Sequence, residues 1–163
     1  MKNFLQRFDT SLHEIISHTS RPPRDNEENG INYYFKTKEE FLKLIKEEKM
    51  LEYTEFNNWY YGTDIEALEK DKVNIGVFNP EGIRKLLKNS DIDLKVFRII
   101  CPAEERLKRQ LYREKSPNVD EIIRRYLADE KDFKNLDFDY ISLENTTYAD
   151  IDKAFEILKP YLA

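Results

Sequence analysis

Short apolar runs alternate along the chain with segments whose apolar residues recur every three or four positions, the pattern of an α/β domain. Four runs read as strands: Glu14–Ser17, Val73–Phe78, Leu94–Ile100 and Tyr140–Leu143. Each is short and mostly apolar, as parallel strands covered on both faces should be. Helical segments fall between them. Thr37 with Glu40 makes a capping box ahead of Phe41, Leu44 and Ile45, and Thr63 with Glu66 repeats it ahead of Ile65 and Leu68. Asn79-Pro80 reads as an N-cap and first-turn proline before Ile83, Leu86 and Leu87. Pro102 opens a segment carrying Leu107 and Leu111; others run from about Asp120 and from Tyr148 to Leu158. The stretch 21–63 is rich in aromatics, holds one helix and reads as an inserted lobe.

Composition bounds the answer. The chain has 163 residues, enough for one domain with a real core, so 1–163 is expected to be a single domain. Charged residues make up 36%, against roughly 25% in ordinary domains. A net charge of -5 speaks against a duplex nucleic-acid partner, whose phosphates need a basic surface. No apolar run approaches the roughly 18 residues of a membrane span. Cys101 is the only cysteine, which fits a reducing compartment, and the reading expects a cytoplasmic protein. His13 and His18 with Cys101 lack metal-ligand spacing, so no metal site is proposed.

The candidate chemistry clusters early. Arg21 and Arg24 flank Pro22-Pro23, whose fixed φ stiffens the loop, and two pre-oriented guanidinium forks suit phosphate oxygens. The plainer alternative is a solvated basic turn. Tyr33 and Tyr61 can donate phenolic hydroxyls to the same phosphate, or pack as ordinary aromatics. Ser17 and Thr63 can reach a base or phosphate edge. Glu52 lies among apolar residues, where its carboxylate can accept from the N1–H and amine of guanine, or simply end a strand.

Taken together, Ser17-His18-Thr19-Ser20-Arg21-Pro22-Pro23-Arg24, Gly30-Ile31-Asn32-Tyr33-Tyr34-Phe35, Leu51-Glu52-Tyr53 and Tyr60-Tyr61-Gly62-Thr63 closely resemble the nucleoside-monophosphate site of guanylate kinases. The resemblance implies that Arg21, Arg24, Tyr33 and Tyr61 hold the phosphate of GMP while Ser17, Glu52 and Thr63 read its base. Asn58-Trp59 departs from the family's Gly-Asn. A looser likeness covers Arg109, Arg113 and Arg125, which match the arginines of the family's lid over about 103–133. Arg124 is an alternative for the last of these. Phe138-Asp139-Tyr140 resembles the family's terminal strand.

The ATP side of the resemblance is thin. No G-x-x-x-x-G-K-[ST] occurs, and the residues Lys2–Phe8 align with the helix that follows that loop in the family. Val77 and Asn79 stand where the family has D-x-D. Phosphoryl transfer leans on these parts. The expectation is therefore a P-loop-kinase-like parallel sheet flanked by helices, missing its first strand and phosphate loop, with an inserted GMP-binding lobe. Val73–Phe78 and Leu94–Ile100 should then pair directly, or else a second chain or the N-terminal segment fills the gap between them. On this reading the protein binds a guanine nucleotide or another phosphorylated ligand without catalysis, with no catalytic residue and no cofactor. A protein partner for the same pocket is the second expectation. The alternative is an active GMP or dGMP kinase using ATP and magnesium at a non-standard or partner-supplied site.

Overall fold

The computed structural model describes residues 12–113 and 115–162, apart from the side chain of Tyr148. The chain divides into two compact units, Met1–Ile92 and Asp93–Ala163.

Among the described residues, the first unit contains two sheets. Strand β1 (Leu12–Glu14) runs parallel to β6 (Val73–Ile75), with Leu12 opposite Val73. The second sheet has four strands in the order β3-β2-β5-β4. They are β2 (His18–Thr19), β3 (Tyr34–Phe35), β4 (Met50–Phe56) and β5 (Trp59–Asp64). Strands β2 and β3 are parallel, whereas β5 is antiparallel to both β2 and β4. The hairpin between β4 and β5 turns on Asn57 and Asn58, with φ of 53° and 63°. Two successive left-handed residues form the turn whose twist matches paired strands, and asparagine tolerates that conformation.

Helix α1 (Lys38–Lys46) starts at Thr37 with the expected capping box and buries Phe41, which stacks on Tyr60 at 5.5 Å. It ends with Glu48 at φ 55°, where the Glu48 and Lys49 N–H groups bond to Ile45 and Leu44 carbonyls. Helix α2 (Pro80–Leu86) has Asn79 as N-cap and buries Ile83 and Leu86. The second expected capping box is not there. Thr63 is fully buried inside β5, and Asp64 caps a short 3₁₀ turn, Ile65–Ala67, instead. A strand needed Thr63 more than a helix did, because its side chain faces the interior opposite Glu52.

The second unit pairs β7 (Phe97–Ile100) in parallel with β8 (Ile141–Glu144). Helices α3 (Ala103–Arg113), α4 (Val119–Asp132) and α5 (Tyr148–Leu158) complete it. Ile122 and Leu143 are its buried apolar residues, and Phe97 meets Tyr161 edge-on at 5.4 Å.

Two sequence expectations need correction. The sheets are small and mixed rather than one parallel sheet, since the lobe contributes its own largely antiparallel strands. Nor do Val73–Phe78 and Leu94–Ile100 pair with each other: among the described residues β6 satisfies its backbone on β1, and β7 on β8. The expected helix over Lys2–Phe8 lies outside the described residues.

Candidate functional site

All seven residues expected to touch a nucleotide fall in the first unit, and the structure links them into one continuous set. Register does most of the placing. Glu52 stands opposite Thr63, and Thr54 opposite Tyr61, which in turn faces Thr19. Opposed residues share a sheet face, so Glu52, Thr54, Tyr61, Thr63 and Thr19 lie on one side. A register shift between Met50 and Glu52 sets which residue of β4 faces Thr63. Ser17, just before β2, comes within 3.4 Å of the Thr63 hydroxyl.

The arginine loop sits beside this face. The Arg21 guanidinium lies over the rings of Tyr33 and Phe35, at 5.7 and 5.8 Å from their centroids. Tyr33 packs edge-on to Tyr61, with centroids 6.3 Å apart. Burial pushes the Tyr33 phenol above its ordinary pKa, against the pull of Arg21, so it stays a hydrogen-bond donor at neutral pH.

Glu27, a residue the sequence reading passed over, organises the loop. Both of its carboxylate oxygens accept from Arg21 Nη2, at 2.8 and 3.0 Å. The Arg24 backbone N–H donates to it at 2.9 Å, and the Arg24 guanidinium stands 3.7 Å away. Arg21 Nη1 donates to the Pro22 carbonyl. Burial pushes Glu27 up, but the Arg24 N–H and the Arg21 guanidinium outweigh it and hold the carboxyl below its usual range. The available signal was spacing: Glu27 lies three residues after Arg24 and six after Arg21, on a loop that proline stiffens.

Glu52 has the opposite electrostatics. It is buried, and burial raises its pKa, with the Thr63 hydroxyl and N–H and the Lys85 charge pulling the other way. A buried carboxylate is an acceptor suited to reading a base edge. His18 belongs to the other face of the sheet, against Tyr34 at 5.0 Å, and burial lowers its pKa.

The expected lid arginines occupy the second unit. Arg109 donates Nε to Glu105 at 2.9 Å, and its two terminal nitrogens to the Asn145 and Thr146 carbonyls, also at 2.9 Å. It ties α3 to the turn before α5. Arg124 and Arg125 both grip Glu121, whose carboxyl the Arg124 guanidinium first, then Arg125, hold down to about 2. Arg113 is an exposed residue of the last turn of α3.

A mixed lobe that brings arginines, tyrosines and one buried carboxylate together in an α/β protein is the arrangement the sequence resemblance led one to expect. Comparison with known proteins makes this specific. A family model for guanylate kinase matches residues 1–163. A guanylate kinase of Rickettsia prowazekii (strain Madrid E) is 32% identical over 160 residues, covering 94% of this chain and 80% of that protein. One from Schizosaccharomyces pombe is 35% identical over 129 residues, covering 77% and 63%. In fold, the crystal structure of guanylate kinase from Anaplasma phagocytophilum superposes with a TM-score of 0.69, at 20% identity, over 99% of this chain and 81% of that one. The chain belongs to the guanylate kinase family.

This kinship corrects the functional expectation. A non-catalytic binder, lacking any need for ATP or magnesium, is overturned by relatives named as kinases across most of the chain. The expectation leaned on an unmatched motif and two substituted acidic positions, and the kinship outweighs both. Among the described residues no helix is long and apolar enough to cross a membrane.

Proposed function

We propose that this chain is a GMP kinase, moving the γ-phosphoryl group of ATP onto the phosphate of GMP to give GDP and ADP. Kinship supports the reaction, and the first unit supports the acceptor. In this reading Arg21, Arg24, Tyr33 and Tyr61 hold the GMP phosphate, while Ser17, Glu52 and Thr63 read the base. An oxygen of that phosphate attacks the γ-phosphorus as the bond to the departing ADP oxygen breaks. Such a transfer asks for positioning and charge neutralisation more than for covalent chemistry from the protein.

Arg109, Arg113 and Arg125 are assigned to the phosphates of the donor. Arg109 would first leave the carbonyls it now holds. The described residues make no magnesium cage of their own: no cluster of three acidic, histidine or cysteine side chains is present among them, and Val77 and Asn79 occupy the family's acidic positions. Magnesium in such enzymes is held largely by substrate phosphates, so here the ion would be carried chiefly by the phosphates of ATP.

The observation that carries the proposal is the linkage of all seven acceptor residues around the Glu52–Thr63 pair. A coupled assay of ADP formation with GMP and Mg-ATP tests it. Turnover of about 1–100 s⁻¹, the ordinary range for kinases, is expected. GMP binding without any GMP-dependent ADP formation overturns it.

A further inference from the structure

Helix α2 carries a glycine, Gly82, in its first turn with no conformational reason to be there. Its backbone is helical, where alanine is favoured over glycine because it loses less chain entropy. Space supplies the missing reason. A Cβ on Gly82 would stand 3.0 Å from Glu52 Oε2, 3.5 Å from Glu52 Cδ and 3.3 Å from Asn79 Oδ1. The contacts at 3.0 and 3.3 Å are both tighter than most real Cβ contacts, so the Glu52 carboxylate oxygen and Asn79 Oδ1 would each give by a few tenths of an ångström.

The Glu52 carboxylate ends a flexible side chain, so it can shift that far without unfolding the protein, and what it gives up is its position. Glu52 is 6% exposed, and across the sheet from it stands Thr63, which is wholly buried. The first turn of α2 is fixed in its turn to the same strand. The Gly82 N–H donates to Asn79 Oδ1 at 2.8 Å, and Asn79 Nδ2 donates to the hydroxyl of Thr54 at 3.2 Å. Thr54 is two residues from Glu52 on the same buried face. Helix and strand are thus latched together beside the carboxylate.

We propose that Gly82 is a specificity-positioning residue: the side chain it lacks is the space that fixes where the Glu52 carboxylate stands, and so how the site tells guanine from adenine. This rests on the assignment of Glu52 to the base. Gly82 touches no nucleotide in this account and acts through Glu52.

The test uses the full chain, with GMP and AMP as probes and calorimetry as the readout. Adenine has no N1–H, so wild type should prefer GMP by about five- to hundredfold, the consequence of one unpaired buried acceptor. Gly82→Ala should cut that preference to below about threefold, leave AMP affinity within about twofold, and keep or raise the unfolding midpoint. A glycine that served only the helix would change the midpoint and leave base preference alone. In Glu52→Asp the shorter side chain draws the carboxylate back. The Gly82→Ala change should therefore have little further effect in that background, a non-additive cycle.

A Gly82→Ala protein that keeps the wild-type preference overturns the proposal, as does one that loses GMP and AMP affinity alike. If Gly82→Ala does not fold, Glu52→Asp/Gly82→Ala should, and failure of both to fold also overturns it. Wild type with no guanine preference instead removes the base assignment beneath it, a distinct result.

Discussion

Each unit of this protein contains one glutamate gripping two arginines, and the two trios are built oppositely. In the first unit Glu27 holds Arg21 and Arg24 on an irregular loop; the Arg21–Glu27 pair is only 11% and 15% exposed, while Arg24 is 40% exposed. In the second unit Glu121 holds Arg124 and Arg125 along helix α4, one turn away, with 28–40% of those side chains in solvent. On the helix, spacing alone brings the charges together, and water screens them. On the loop no periodicity helps, so the carboxylate itself shapes the backbone through the Arg24 N–H. As an ion pair the helix trio is solvent-screened and of modest energy. The loop trio is an organiser whose loss leaves charge stranded.

The widest gap between the two should appear on deleting the carboxylate. Glu27→Gln leaves Arg21 partly buried without its anion and should cost about 3 kcal/mol, read as a lower urea midpoint at unchanged m-value. A loss under about 1 kcal/mol would erase the contrast. Arginine geometry gives the next effect. Arg21→Lys replaces a planar fork that meets both Glu27 and aromatic rings, and should weaken GMP more than about tenfold in calorimetry. Arg125→Lys should change GMP binding less than about twofold.

Acid unfolding sharpens the picture. Both carboxyls sit below their ordinary value of 4.5 in the folded protein. The stability each contributes is therefore fully present above about 4.5 and lost as pH falls through the folded value, about 2 for Glu121. Glu27→Gln should flatten the stability profile below pH 4.5 more than Glu121→Gln does, because solvent discounts the exposed trio. Equal flattening would count against the distinction. The smallest effect is Glu121→Gln at neutral pH, expected to cost under about 1 kcal/mol in the same urea titration.

What the sequence made legible followed local rules. Thr37 with Glu40, Asn79-Pro80 and the span Tyr148–Leu158 were readable because caps and helical periodicity act within a few residues. Thr63 with Glu66 satisfied the same cap rule and was nonetheless a strand residue, since the partner that decided it, Glu52, is eleven positions away. Tyr33 and Tyr61 were indistinguishable from core aromatics except through the order of the whole motif. Glu27 was hidden in an acidic stretch that reads as a solvated turn, and only the folded loop brings it onto Arg21. The activity was illegible for a different reason. The unmatched phosphate-loop motif bears on the other substrate, whereas the dense matches around Arg21, Glu52 and Tyr61 lie on the proposed acceptor side.

The turn at Asn57 and Asn58 carries a consequence that its distance from the ligand residues conceals. Alternation along a strand is binary, so whether Glu52 or Tyr53 faces inward depends on an odd or even count of residues from that turn. Its two left-handed asparagines, with the irregularity near Leu51, fix that count. One residue added at Asn58, with the turn kept, would swap the carboxylate for a phenol at the position proposed to read the base while every residue of the site remained in the sequence. On that assignment, base recognition is stored partly as parity.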